Sequence, residues 1–281
     1  MNTRLPITLL TLAALALAPA CKKEEPTQNP DEVAAEGGDA GDAGTEEAEA
    51  ALPPQEPDPP EIAALYERYL QGDYEAVASE AEALRAGLTA DTQIRAHALA
   101  SSIAALAAAE SVPENGQEPS EKAVAAGDRL GDPEVQQLGH IAHAIYLVRV
   151  QEAAAGQAEL EAALELGGPY DALNRLMLAE AHLNQAFGVG EEDTQIKHPE
   201  RLDDARAQYE AALEGAPPIL QGQAHEGLAA VAKYKGEKDK ICEHAQEAEN
   251  LYAANGASDY IREVPSLLAK DGRCKGFKKA E

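Results

Sequence analysis

The stretch Ala205-Arg-Ala-Gln-Tyr209-Glu-Ala-Ala212-Leu-Glu-Gly215-Ala-Pro217 sets small residues and one aromatic at helical spacing, then stops. Positions 205, 209 and 212 share one face of an α-helix, where residues three and four apart are neighbours. Alanine on that face lets another helix come close, and the tyrosine fills the gap between them. Pro217 ends this segment and opens the next, because proline suits a first helical turn and breaks a helix interior. The unit is therefore a helix, a short turn and a second helix.

Working outward, the same periodicity fills residues 61–270 between short breakers. Ile62, Leu65, Tyr66 and Tyr69 sit at helical spacing before Gly72-Asp73, and Tyr74, Val77, Ala78, Ala81 and Leu84 restart it. Further helices are predicted over 91–110, 120–130, 135–154, 157–166, 170–187, 199–214, 217–234 and 237–252, with a closing helix over 258–270. Gly131-Asp132-Pro133 reads as a stop and a fresh start, with Asp132 as N-cap and Pro133 in the first turn. Gly156 reads as a break. The sum is about five hairpins plus a cap, each too thin to bury its own apolar face. Stacking buries a continuous core, which is the logic of a solenoid.

Composition agrees. The chain has no Trp, two Phe and nine Tyr, while Ala recurs throughout. Ala, Leu, Glu, Gln and Arg lose little entropy in a helix, so propensity points to an all-α fold. The formal net charge of −27 repels nucleic acid and anionic headgroups and excludes them as partners.

The pattern Ala205-x3-Tyr209-x2-Ala212-x4-Pro217 resembles the second helix of a tetratricopeptide repeat. Similar cues lie in Gly72-Asp73-Tyr74 with Val77, Ala81 and Leu84, and in Gly236 with Ile241, Ala245 and Ala248. The resemblance covers most of 61–255 and is specific only at 205–217. The signature Trp is missing, and the extended loops 111–119 and 188–198 upset the period, so the repeats are degenerate. Other helical-pair solenoids are the alternative. The resemblance implies a right-handed α-solenoid with a concave groove for a peptide or protein. Candidate groove residues are Tyr66, Tyr69, His97, His143, Tyr146, Asn174 and His182.

Residues 1–20, MNTRLPITLLTLAALALAPA, read as a signal peptide: Arg4, an apolar run, then Ala18-Pro19-Ala20. Cys21 follows the cut, and here the chain resembles a bacterial lipoprotein, whose cysteine carries a diacylglyceryl group and palmitate-type acyl chains. Leu17 stands four residues before Cys21 where that family prefers Leu at three, so ordinary signal-peptidase cleavage is the alternative. Lys22 after the cysteine resembles lipoproteins sent to the outer membrane, which implies a periplasm-facing domain. Residues 21–60, acidic and ending in Pro53, Pro54, Pro57, Pro59 and Pro60, read as a tether. With Cys21 lipidated, Cys242 and Cys274 are left as an even pair in an oxidising compartment, so a disulfide is expected. The tail 271–281 carries Arg273, Lys275, Lys278 and Lys279, a basic cluster in an acidic protein.

Catalytic and metal motifs are weak. His140 and His143 are three apart on one helix with no third ligand evident, so no metal is expected. His225-Glu226 begins the zinc-protease pattern and fails it, because Ala229 stands where the second His belongs. Neither a G-x-S-x-G turn nor a phosphate-binding loop occurs. Glu191, Glu192 and Asp193 lack the alternating spacing of a calcium loop. The expectation is a non-enzymatic, cofactor-free envelope scaffold or adaptor for a protein or peptide partner. The alternative is a small-molecule binding component serving a transporter. An open polar groove favours the first, and an enclosed pocket the second.

Overall fold

In the computed structural model, which describes residues 56–89, 92–150, 152–187 and 195–279, the periodicity becomes eleven α-helices, with no strand among the described residues. They are α1 (Pro60–Leu70), α2 (Tyr74–Gly87), α3 (Ile94–Ser111), α4 (Gln117–Leu130), α5 (Pro133–Arg149) and α6 (Ala153–Leu166). Then come α7 (Asp171–Gln185), α8 (Pro199–Ala212), α9 (Pro218–Lys235), α10 (Lys238–Ala254) and α11 (Asp259–Asp271). No described helix is long and apolar enough to cross a membrane. The expected signal peptide, Cys21 and the acidic residues 191–193 lie outside the described residues.

Each helix packs on the next, and the odd-numbered helices also pack on one another: α1 on α3, α3 on α5, α5 on α7, α7 on α9 and α9 on α11. The Ala-rich α3 is apolar nearly all round because α1, α2, α4 and α5 surround it. Its two buried hydroxyls, Ser101 and Ser102, donate to the carbonyls of His97 and Ala98 four residues back. On α8, Ala205, Tyr209 and Ala212 are all buried on the face that their spacing predicts.

The first and last parts of the described helical row also meet. The Ser258 N–H, just before α11, donates to the Gln71 carbonyl in the turn between α1 and α2 at 2.9 Å. Ile261 packs over Gly72, and the rings of Tyr74 and Tyr260 meet edge to face at 6.4 Å. Tyr66 reaches in the same way to Tyr170, before α7, at 5.2 Å.

Local expectations fare variously. Asp132 caps α5, its carboxylate accepting from the Glu134 N–H at 3.0 Å. Gly156 does not break a helix: α5 ends at Arg149, and Gly156 lies buried inside α6. A Cβ there would come within 2.8 Å of Val148 and 2.9 Å of the Ala144 carbonyl, so this glycine serves close packing of α6 on α5. The end of the expected tether is also held down. The Glu56 N–H donates to the Thr92 carbonyl, and Asp58 pairs with Arg95.

Cys242 on α10 and Cys274 beyond α11 lie at disulfide distance, with Cα atoms 5.3 Å apart. The basic tail then runs back along α10: the Lys278 N–H donates to Gln246 Oε1, and Gln246 Nε2 donates to the Lys278 carbonyl.

Candidate functional site

A partly open pocket of about 80 Å³ lies where α11 meets the α1–α2 turn. Its aromatic wall is five tyrosines: Tyr69 at the end of α1, Tyr74 opening α2, Tyr209 on α8, Tyr252 on α10 and Tyr260 on α11. Tyr74 and Tyr260 keep partial exposure and form the rim, while Tyr69, Tyr209 and Tyr252 are buried. Leu176, Ile261 and Val264 supply apolar wall.

Two glycines of α9 seat this aromatic wall. A Cβ at Gly227 would fall 2.2 Å from the Tyr209 ring, and one at Gly222 would fall 2.5 Å from the Tyr252 ring. Both rings lie against α9 at positions where any side chain would collide with them. Burial pushes the phenols of Tyr69, Tyr74, Tyr209 and Tyr252 well above the ordinary tyrosine range, so all four stay neutral.

The charged wall comes from helix positions that face inward. Arg149, at the end of α5, donates from Nη1 to Glu180 on α7 at 2.9 Å and from Nη2 to Glu110 on α3 at 3.0 Å. The Arg149 side chain is 6% exposed, Glu110 11% and Glu180 8%, so the triad is largely out of water. Burial pulls down on the Arg149 guanidinium, and Glu110 and Glu180 together outweigh it and hold the charge. For Glu110 burial wins: it pushes the carboxyl up against the pull of Arg149, with Glu180 adding to the push. Glu226 on α9 is a third carboxyl, buried, accepting the Tyr252 hydroxyl at 2.9 Å.

Of the seven expected groove residues, Tyr69 borders this cavity and the other six do not. Tyr66 stacks on Tyr69 and sits behind it. Asn174 is buried and donates to the Leu160 carbonyl, which locks α7 to α6. His182 lies toward Arg201 of α8, its Nδ1 at 3.4 Å, and burial lowers its pKa. His97 is likewise pulled down by burial, with Arg85 and Lys122 adding to the effect. His143 stacks on Tyr146 and shares the Glu159 carboxylate with His140 at 3.2 and 2.5 Å. The seven therefore divide between the cavity wall and the seams between helices rather than lining one surface.

No three side chains of metal-ligating type converge among the described residues. His225, the start of the failed protease pattern, faces His244 on α10 at 3.1 Å, while its neighbour Glu226 turns into the cavity. Sequence reading passed over Glu110, Arg149 and Glu180, and weighed Glu226 only as part of the failed protease pattern. Their signal was position: each sits within or at the end of a run of apolar residues, as in Leu-Met-Leu-Ala-Glu180-Ala and Ile-Tyr-Leu-Val-Arg149. Compared with protein-family models, with curated proteins and with solved structures, the chain finds no match.

Proposed function

We propose that this protein is a non-enzymatic, lipid-anchored envelope protein that binds a small molecule in its central cavity and delivers it, as a component associated with a transporter. The observation that carries this reading is the pocket beside the contact of the α1–α2 turn with the start of α11, where five tyrosines and a buried charged triad converge. Clefts lined by aromatic side chains with a few convergent polar groups suit small ligands. The alternation of helices, each odd one packed on the next odd one, supports a degenerate tetratricopeptide-like solenoid. Cys21 followed by Lys22 supports anchorage at the outer membrane, facing the periplasm.

The test is native mass spectrometry of the full chain extracted from the envelope in non-ionic detergent. A small molecule released on denaturation is expected, and it should be lost when Tyr74 and Tyr260 are changed to Leu. A stoichiometric protein partner with no small molecule would overturn this reading in favour of a scaffold. One observation favours that second reading: an open groove of about 650 Å³ lies between α2 and α4, floored by Ala104 and Ala108 of α3. Val112, 44% exposed, stands at its edge and offers an apolar contact to a peptide.

A further inference from the structure

We infer that His225 on α9 and His244 on α10 form a metal site for one divalent transition-metal ion of the imidazole-preferring class, copper(II) or zinc(II). Neither histidine lines the tyrosine pocket, so the inference stands apart from the ligand-binding reading. A distance carries it: the two Nδ1 atoms lie 3.1 Å apart across the seam between the helices. Imidazole nitrogens bind such ions at about 2.0–2.1 Å, and ligand angles of roughly 90–110° then set two of them about 2.8–3.4 Å apart. The pair already stands at that bite.

Packing holds the two donors in place. Gly222, three residues before His225, seats the Tyr252 ring of α10 against α9, and the Tyr252 hydroxyl donates to Glu226, beside His225. The spacing of α9 and α10 at this level is thus fixed before an ion arrives. Both rings are half-buried, which leaves each a side open to solvent.

The protonation state suits a metal. Burial lowers both pKa values from an ordinary 6.5 and outweighs Glu247 and Glu243 at His225. At His244, burial leads, and His225, Lys240 and Arg206 add to it against Glu243. Both imidazoles are therefore neutral at pH 7, the form that binds metals. Without an ion, one Nδ1–H donates to the other Nδ1. When the ion binds, the donor ring carries its hydrogen on Nε2 instead, and both Nδ1 lone pairs face the metal with no net proton released.

The charge around the pair does not oppose a cation. Glu237 pairs with Arg206 and Lys240 at 2.7 and 3.1 Å, and Glu243 and Glu247 add two exposed carboxyls on α10. No third protein ligand converges among the described residues, so water completes the coordination and the ion is exchangeable.

The experiment titrates the untagged full-length chain, in non-ionic detergent at pH 7, with copper(II), followed by electron paramagnetic resonance. One copper per chain is expected, with nitrogen couplings from two imidazoles. Zinc(II) should displace it, and magnesium should not. His225→Asn and His244→Asn should each weaken copper at least tenfold at unchanged helical circular dichroism, while His143→Asn, on the other histidine pair, leaves it unchanged. Zinc should also raise the urea midpoint of wild type and not of His244→Asn, because an ion bound across the seam stabilises the folded chain. Copper held equally by both Asn variants, or no copper held at 100 µM, would overturn the inference. Should the Asn variants fail to fold, the wild-type spectrum decides: couplings from one imidazole or none would overturn it as well.

Discussion

Arg149 on α5 donates from Nη1 to Oε1 of Glu180 on α7 at 2.9 Å, in a setting where the two side chains are 6% and 8% exposed. With Glu110 on the other Nη, one guanidinium ties α3, α5 and α7 together around the cavity. Such a group is weak evidence for net stability, but removing its centre strands two buried carboxyls. Arg149→Met is therefore expected to cost about 3–5 kcal/mol, and adding Glu110→Gln and Glu180→Gln should recover most of it. Urea unfolding of the single and triple variants checks this. Equal stability of Arg149→Met and wild type would mean that the triad is solvated.

Glu110 gives a pH dependence of unusual sign. Burial raises its pKa from an ordinary value of 4.5, against the pull of Arg149. The folded protein thus holds this proton more tightly than the unfolded chain does. The stability contributed by this group is complete below about 4.5 and is lost as pH rises through the raised folded value. Glu110→Gln mimics the protonated form, so wild type should lose stability relative to the variant as pH climbs from 4.5 toward neutrality. Denaturation midpoints at half-unit pH steps provide the measurement. A relative gain for wild type over that range would show that the ion pair outweighs burial.

Gly227→Ala and Gly87→Ala make a matched pair with opposite outcomes. At Gly227 the new methyl falls 2.2 Å from the buried Tyr209 ring, which has no room to give, so a loss of about 1–3 kcal/mol is expected, with a reshaped cavity. At Gly87, the last residue of α2, nothing lies within 4 Å, and alanine should be neutral or stabilising by up to about 1 kcal/mol. Thermal melts of both variants separate crowding from propensity.

Reducing the Cys242–Cys274 bond should loosen the end of the chain. The cysteines are 32 residues apart, and opening a loop of that length is expected to cost on the order of 3–4 kcal/mol in the chain-entropy model. Unfolding curves with and without reductant measure the loss. Hydrogen exchange should rise first in α11 and the tail, where Lys278 depends on Gln246. Unchanged curves would mean that the packing of Ile241 and Leu268 holds this end alone.

The helices were legible because their signals are local. Asp132 before Pro133 and the face of Ala205, Tyr209 and Ala212 report on neighbours within one turn. Gly156 misled because a glycine that breaks a helix and one that admits another helix look alike in sequence, and only Ala144 and Val148 reveal the difference. The cavity was illegible for a stronger reason. Glu110, Arg149, Glu180 and Glu226 come from four helices spread over more than a hundred residues, and no spacing rule connects them. Tyr69 was named as a binding residue, yet its partner across the space, Tyr260, stood out in no pattern. Convergence of that kind is a property of the closure rather than of any segment.

The contact of Tyr74 with Tyr260 has a consequence for how this protein can change. A row of hairpins with free ends lengthens by duplication, one pair at a time, and each added pair is tolerated because it disturbs only its neighbour. Here the first turn and the last helix are neighbours, so the row has a circumference. An extra pair would part the two tyrosines and spill the chamber, and a missing pair would crush it. The number of hairpins thus sets the shape of the cavity.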